Sequence, residues 1–106
     1  MQHDTQARYK ERARILKALG HPTRLFIIDE LSKGERCVSE LKDMIGNDTS
    51  TVSKHLSILR EVGIIKDDKR GLQVFYSLRV PCVMNFFSCV EAVIRASLDD
   101  KMIFLK

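Results

Sequence analysis

Three cysteines, Cys37, Cys82 and Cys89, are the side chains of this sequence best suited to soft-metal or redox chemistry. Trivalent arsenic and antimony favour three thiolates, and other soft metal centres likewise prefer sulfur to oxygen. The spacing restrains that chemistry. If Cys82 and Cys89 share one helix, the rise along the axis separates them by roughly 10 Å, too far for one metal whose bonds to sulfur are about 2.3 Å. The same separation forbids a disulfide within the helix, because bridged Cα atoms lie within about 7 Å of each other. A common site therefore needs Cys82 in an extended segment or a ligand from a second copy of the chain, with Cys37 as the thiol that approaches either of the others. Packing is the competing reading. Free cysteine behaves as a small apolar residue, and Cys82 and Cys89 fall on an apolar stripe. Cys37 instead stands in a charged segment just ahead of a helix.

A second group of residues suits contact with a polyanion. Ser50, Ser53, Lys54 and Ser57 fall on the side of a helical pattern opposite Val52, Leu56 and Leu59. Short hydroxyls and one cation can enter a major groove and hydrogen-bond base edges or phosphates. Thr49 and Thr51 extend this group at the start of the pattern, and the first acidic residue inside it is Glu61, near its far end. His55 lies next to the Leu56 edge, so both a DNA contact and internal packing are open to it. Lys66, Lys69 and Arg70 follow in a charged stretch that could reach backbone phosphates or a minor groove, diluted by Asp67 and Asp68. The bland alternatives are a solvated serine face and a hairpin kept soluble by its charges.

The elements that must position these residues follow from periodicity and turn signals. Residues 6 to 19 predict a helix carrying Tyr9, Ala13, Leu16 and Leu19, stopped at Gly20. Pro22 opens a second helix to about Ser32 with Leu25, Ile28 and Leu31 on one side, and Gly34 ends it. Ser39 to Ile45 predicts a short third helix closed by Gly46-Asn47. A fourth begins at an Asp48 or Thr49 cap and runs through Val52, Leu56, Leu59 and Val62. Ile64 to Lys66 reads as a short strand, Asp67 to Leu72 as a charged turn, and Gln73 to Arg79 as an alternating strand with Val74, Tyr76 and Leu78 on one face. Pro81 opens a last helix, about 82 to 98, with two apolar stripes: Val83, Phe87, Val90, Ile94 and Cys82, Phe86, Cys89, Val93. So wide an apolar surface predicts burial by a second copy of the chain. The fold class expected is mainly α with a small β-hairpin: a winged helix-turn-helix of about five helices and a two-stranded wing, one domain over residues 1–106.

Composition bounds the function. The chain has 106 residues, of which 44% are hydrophobic, enough for one core. No apolar run approaches the roughly 20 residues that cross a bilayer, so no membrane partner is expected. The polar start from Met1 to Arg14 lacks the apolar core of a secretory signal, which predicts a cytoplasmic, reducing location and free thiols. An odd number of irregularly spaced cysteines is no disulfide framework. The net charge of +4 suits a polyanionic partner. No Cys-x-x-Cys, no nucleophile with an obvious base and no glycine-rich phosphate loop is present, which argues against an enzyme. A protein-interaction module is disfavoured by the absence of an aromatic or aliphatic anchor on the Ser50, Ser53, Lys54, Ser57 face.

Four segments, Leu19-Gly-His-Pro-Thr-Arg-Leu25, Cys37-Val-Ser-Glu-Leu41, Thr51-Val-Ser-Lys-His-Leu-Ser-Ile-Leu-Arg-Glu-Val-Gly63 and Tyr76-Ser-Leu78, resemble successive signatures of the ArsR/SmtB family of bacterial metal-responsive repressors. The resemblance covers roughly residues 10 to 98. It implies a homodimeric winged-helix repressor, its first and last helices at the dimer interface, that leaves double-stranded operator DNA when an inducer binds. Family members that sense arsenite, antimonite, lead or cadmium often carry Cys-Val-Cys at the start of the third helix. Here the triplet reads Cys37-Val38-Ser39, one thiol short. The zinc site of other members uses histidine on the last helix, and this last helix has none; His3, His21 and His55 are scattered. A thiophilic inducer such as As(III), Sb(III) or another soft metal ion is the resulting expectation, with no cofactor required for DNA binding. Oxidation or persulfide formation linking Cys37 to the last helix is the alternative.

Overall fold

The computed structural model describes residues 1–105, with Lys106 outside them. Its elements run α1 (His3–Leu19), α2 (Pro22–Leu31), β1 (Arg36–Cys37), α3 (Val38–Ile45), α4 (Thr49–Glu61), β2 (Ile65–Arg70), β3 (Gln73–Leu78) and α5 (Val83–Leu105). Five helices with a β-hairpin after the fourth make a winged helix-turn-helix, as expected. The starts of α2 and α4 have local causes. The His21 ring nitrogen Nδ1 accepts the Thr23 amide at 3.1 Å and Pro22 needs no partner at the first turn, so α2 begins there. Asp48 caps α4, its Oδ1 accepting the Thr51 amide at 2.7 Å. Gly46, at φ 84°, takes the left-handed conformation that ends α3 and turns the chain into α4.

The core lies where α2, α3, α4 and the sheet meet. Ile27, Ile28, Leu41, Val52, Leu56 and Leu59 are fully enclosed there. On α2 the inward side is formed by Ile27, Ile28 and Leu31, while Leu25, expected among them, is 36% exposed. Val62 falls just past the end of α4, as its C-cap, and still packs against the core.

The wing departs from expectation in two ways. The strand expected to stop at Lys66 continues to Arg70, and the turn shrinks to Gly71-Leu72, with Arg70 opposite Gln73. Asp67, Asp68, Lys69 and Arg70 are all exposed; their polarity marks a strand facing solvent, because backbone pairing with β3 is indifferent to what the side chains touch. Second, β3 is central in a three-stranded antiparallel sheet of order β1-β3-β2. β1 adds Arg36 opposite Tyr76 and Cys37 opposite Phe75.

α5 runs beyond the expected end at Leu98. Val83, Met84 and Phe87 pack against the core, whereas Val93 is 65% and Leu98 55% exposed. With Leu16 of α1 and Phe26 of α2, the open side of α5 borders an apolar groove of about 980 Å³. No described helix is long and apolar enough to cross a membrane.

Candidate nucleic-acid interface

α4 presents two chemically different sides. Val52, Leu56 and Leu59 seal one against the core. On the other, Thr49, Ser50 and Lys54 are exposed and Thr51, Ser53 and Ser57 half-buried, so none of the serine and lysine face is sealed into the core. Some of its capacity is already spoken for: the Ser50 hydroxyl donates to Asp48 Oδ1 at 3.1 Å. Hydrogen bonds from Thr51, then Ser50, hold the Asp48 carboxyl below its ordinary value of 3.8, so the cap stays ionised and fixes the first turn. Lys54 takes part in none of the ion pairs among the described residues, which leaves its ammonium available to an external anion.

His55 is drawn to the flank of the helix. Its Nδ1 lies 3.2 Å from Arg24 Nη1, and since a guanidinium only donates, that nitrogen accepts and the ring proton sits on Nε2. The His21 ring stands 4.4 Å away, centroid to centroid. The same guanidinium donates to the carbonyls of Ala18 and Lys17 at the end of α1. Arg24 therefore ties α1, α2 and α4 together. It was not among the residues singled out from the sequence, although it stands in the Gly-His-Pro-Thr-Arg segment that carried the resemblance.

Burial first, then the charges of His21 and Arg24, hold the His55 imidazole below its ordinary value of 6.5. The folded chain thus binds a proton at His55 less readily than the unfolded chain. The stabilisation is complete above the unfolded value and is lost as pH falls through it towards the lowered folded one. The melting temperature is expected to drop on acidification below 6.5, and to drop less in a His55→Gln variant. Parallel pH profiles for the two proteins would remove His55 from this role.

On the wing, Lys66 and Lys69 are exposed. Arg70 is engaged: Nη1 and Nη2 donate to the two Glu35 oxygens at 2.6 and 2.9 Å, and Nε donates to Asp68 at 3.0 Å. These bonds raise the Arg70 pKa and lower that of Glu35. Asp67 is matched by Arg60 of α4 at 3.0 Å.

The cysteines are all free but differently housed. Cys37 is buried at the start of α3; its amide donates to Glu40 Oε1 at 3.1 Å and its Sγ lies 3.1 Å from the Ser39 hydroxyl. Cys82 and Cys89 are exposed, not packed into the core of their own chain. Among the described residues no three His, Cys, Asp or Glu side chains converge as metal ligands. A trithiolate centre within one protomer does not fit this arrangement.

Residues 21–67 match the model of a family described as bacterial regulatory protein, arsR family. The chain is 41% identical over 75 residues to the biofilm growth-associated repressor of Xylella fastidiosa, covering 71% of this chain and 66% of that protein. It is 38% identical over 95 residues to the biofilm growth-associated repressor of Agrobacterium fabrum, covering 90% and 81% of the two. The homodimeric winged helix-turn-helix DNA-binding domain solved from Mycobacterium bovis superposes with a TM-score of 0.79 at 28% identity, over 94% of this chain and 93% of that one. With a fold, a reading-head topology and relatives that agree over most of its length, this chain belongs to the ArsR family of winged helix-turn-helix transcriptional repressors.

Proposed function

We propose that the chain works as a homodimer that places α4 of each protomer in successive major grooves of an operator duplex and lets go when its cysteine thiols meet a thiophilic agent. The observation that carries this reading is the outward face of α4, where Lys54 is exposed and Ser53 and Ser57 stand half-open opposite a fully buried apolar side. Ser53, Lys54 and Ser57 read base edges; Thr49, Ser50 and Thr51, at the positive end of the helix dipole, face phosphate. Lys69 of the wing adds backbone contact. α1 and α5 form the dimer interface: the apolar groove beside α5 and the exposed Phe86, Val90 and Ile94 give a second protomer something to cover.

Duplexes selected from a random pool on the purified protein should share two related half-sites whose centres lie about 34 Å apart, or a multiple of that. Failure to enrich any sequence would sink the reading.

The release half rests on Cys37, Cys82 and Cys89. Since one protomer does not gather three thiols, a soft-metal site has to draw on both protomers, whereas a disulfide needs only two thiols and a persulfide one. The exposure of Cys82 and Cys89 favours the second reading as well as the first. Operator complexes treated with arsenite or cadmium in one series, and peroxide or polysulfide in another, should dissociate in at least one. The triple Cys37→Ser, Cys82→Ser, Cys89→Ser variant should stay bound in both. Mass spectrometry of the released protein separates bound metal from a crosslink. A triple variant released as readily as the parent would disconnect the thiols from induction.

A further inference from the structure

The wing carries Lys66, Lys69 and Arg70, and of these Arg70 alone is held in ion pairs among the described residues. Three of the five N–H donors of its guanidinium are committed: two in a parallel fork to Glu35 at 2.6 and 2.9 Å, one to Asp68 at 3.0 Å. One face of the group is covered by the Phe75 ring, 4.7 Å from its centroid. The parts come from separate segments. Glu35 lies in the turn before β1, Asp68 and Arg70 on β2 and Phe75 on β3, so the arrangement is built by the tertiary fold and is not a chance pairing of neighbours on one strand. A carboxylate offers a guanidinium the same two-oxygen edge as a phosphate, and here it already occupies that edge. The cluster of Glu35, Asp68 and Arg70 also carries one more negative charge than positive. Asp67 does not add to the excess, because Arg60 matches it at 3.0 Å. Lys66 and Lys69 take part in none of the ion pairs among the described residues.

We propose that Glu35 is a positioning residue for DNA engagement, holding Arg70 against the wing and away from the duplex, so that the wing meets the phosphate backbone through its lysines alone. Resting on the DNA-binding reading above, the assignment makes Glu35 an internal competitor that sets how many phosphates the wing neutralises. Replacing it by its neutral isostere frees one cation at the wing.

The test uses the full chain, a labelled duplex of random sequence and fluorescence anisotropy across a salt series, because sequence-independent binding reports neutralised phosphates directly. In Glu35→Gln the slope of log K against log salt should steepen by about 0.9, the increment for one additional phosphate contact. Affinity at the low-salt end should rise by about fivefold, in line with one new charge-assisted hydrogen-bonded contact. Arg70→Gln in the parent should leave the slope unchanged, and adding Arg70→Gln to Glu35→Gln should return it to the parental value. Removal of a carboxylate that acted only through the overall field would raise affinity equally with and without Arg70, and that result overturns the proposal. So does an unchanged slope in Glu35→Gln while the parent binds duplex with a steep salt dependence; DNA binding then stands and the Glu35 role falls alone. A parent that does not bind duplex at all removes both. Glu35 and Arg70 are exposed, so matched circular dichroism melts should show each variant folded.

Discussion

Replacing Ser53 and Lys54 together by glutamate is expected to abolish operator binding while leaving the fold in place. The double change removes one cation and adds two anions to the outward face of α4, where a duplex would bring its phosphates closest. Specific complexes of this kind exceed non-specific ones by about a thousandfold or more, and the variant should forfeit at least that margin in a gel shift or anisotropy titration. The electrostatic attraction behind non-specific binding weakens too, so the loss should persist on random duplex. Lys54 is exposed and Ser53 half-buried, and neither belongs to the core, so the circular dichroism spectrum and the size-exclusion volume should match the parent. Unchanged affinity would move the reading face elsewhere and favour a protein partner for this helix.

Leu56→Ala, one residue beyond His55 on the same helix, should act through the opposite side and by a different route. Leu56 has no exposed surface and sits in the cluster with Ile28, Val52 and Leu59. Truncating it removes the transfer energy of the lost carbons and leaves a cavity that the neighbours fill only in part, a cost of about 2–5 kcal/mol. Against a total of about 5–15 kcal/mol for a typical protein, this is a large fraction. Thermal unfolding followed by circular dichroism should show the midpoint lowered by at least about 8 °C, taking the lower cost and about 4 °C per kcal/mol. DNA affinity measured well below that midpoint should be far less affected than in the Ser53, Lys54 double variant. A shift of under about 2 °C would mean that α4 is not anchored through Leu56.

These two results would separate the sides of one helix, and that helix was also the most legible part of the sequence. Val52, Leu56 and Leu59 recur at a spacing only a helix uses, Asp48 supplies a capping oxygen, and Ser50, Ser53, Lys54 and Ser57 fall on the opposite side, while His55 on the flank could not be placed from the pattern. The helix order was legible for the same reason. β1 was not, since two residues show no period and its existence depends on β3 offering an unpaired edge. The extension of β2 was hidden by its composition. Asp67, Asp68, Lys69 and Arg70 look like a turn to any reading that ties strands to apolar alternation, whereas here the backbone pairs and the side chains face water. The Arg24 contact with His55 and the Glu35 fork on Arg70 join residues 31 and 35 positions apart, and no local pattern announces such partners. The same limit applies to the thiols: three cysteines match a trithiolate by count, but only the fold reveals that Cys37 lies buried while the other two face outward.

α5 has a consequence for the life of the molecule as a whole. Its 23 residues extend about 35 Å, and past Phe87 the exposed Val90, Val93, Ile94, Leu98 and Met102 leave much of its apolar surface uncovered by its own chain. A helix in a protein takes most of its stability from packing its apolar face against something else. In the proposed dimer the distal turns gain their order from the protomer that covers them, so folding and assembly share one equilibrium and dilution itself acts as a denaturant. The cell's supply of this chain would thereby set both how much regulator there is and what fraction of it has a shape.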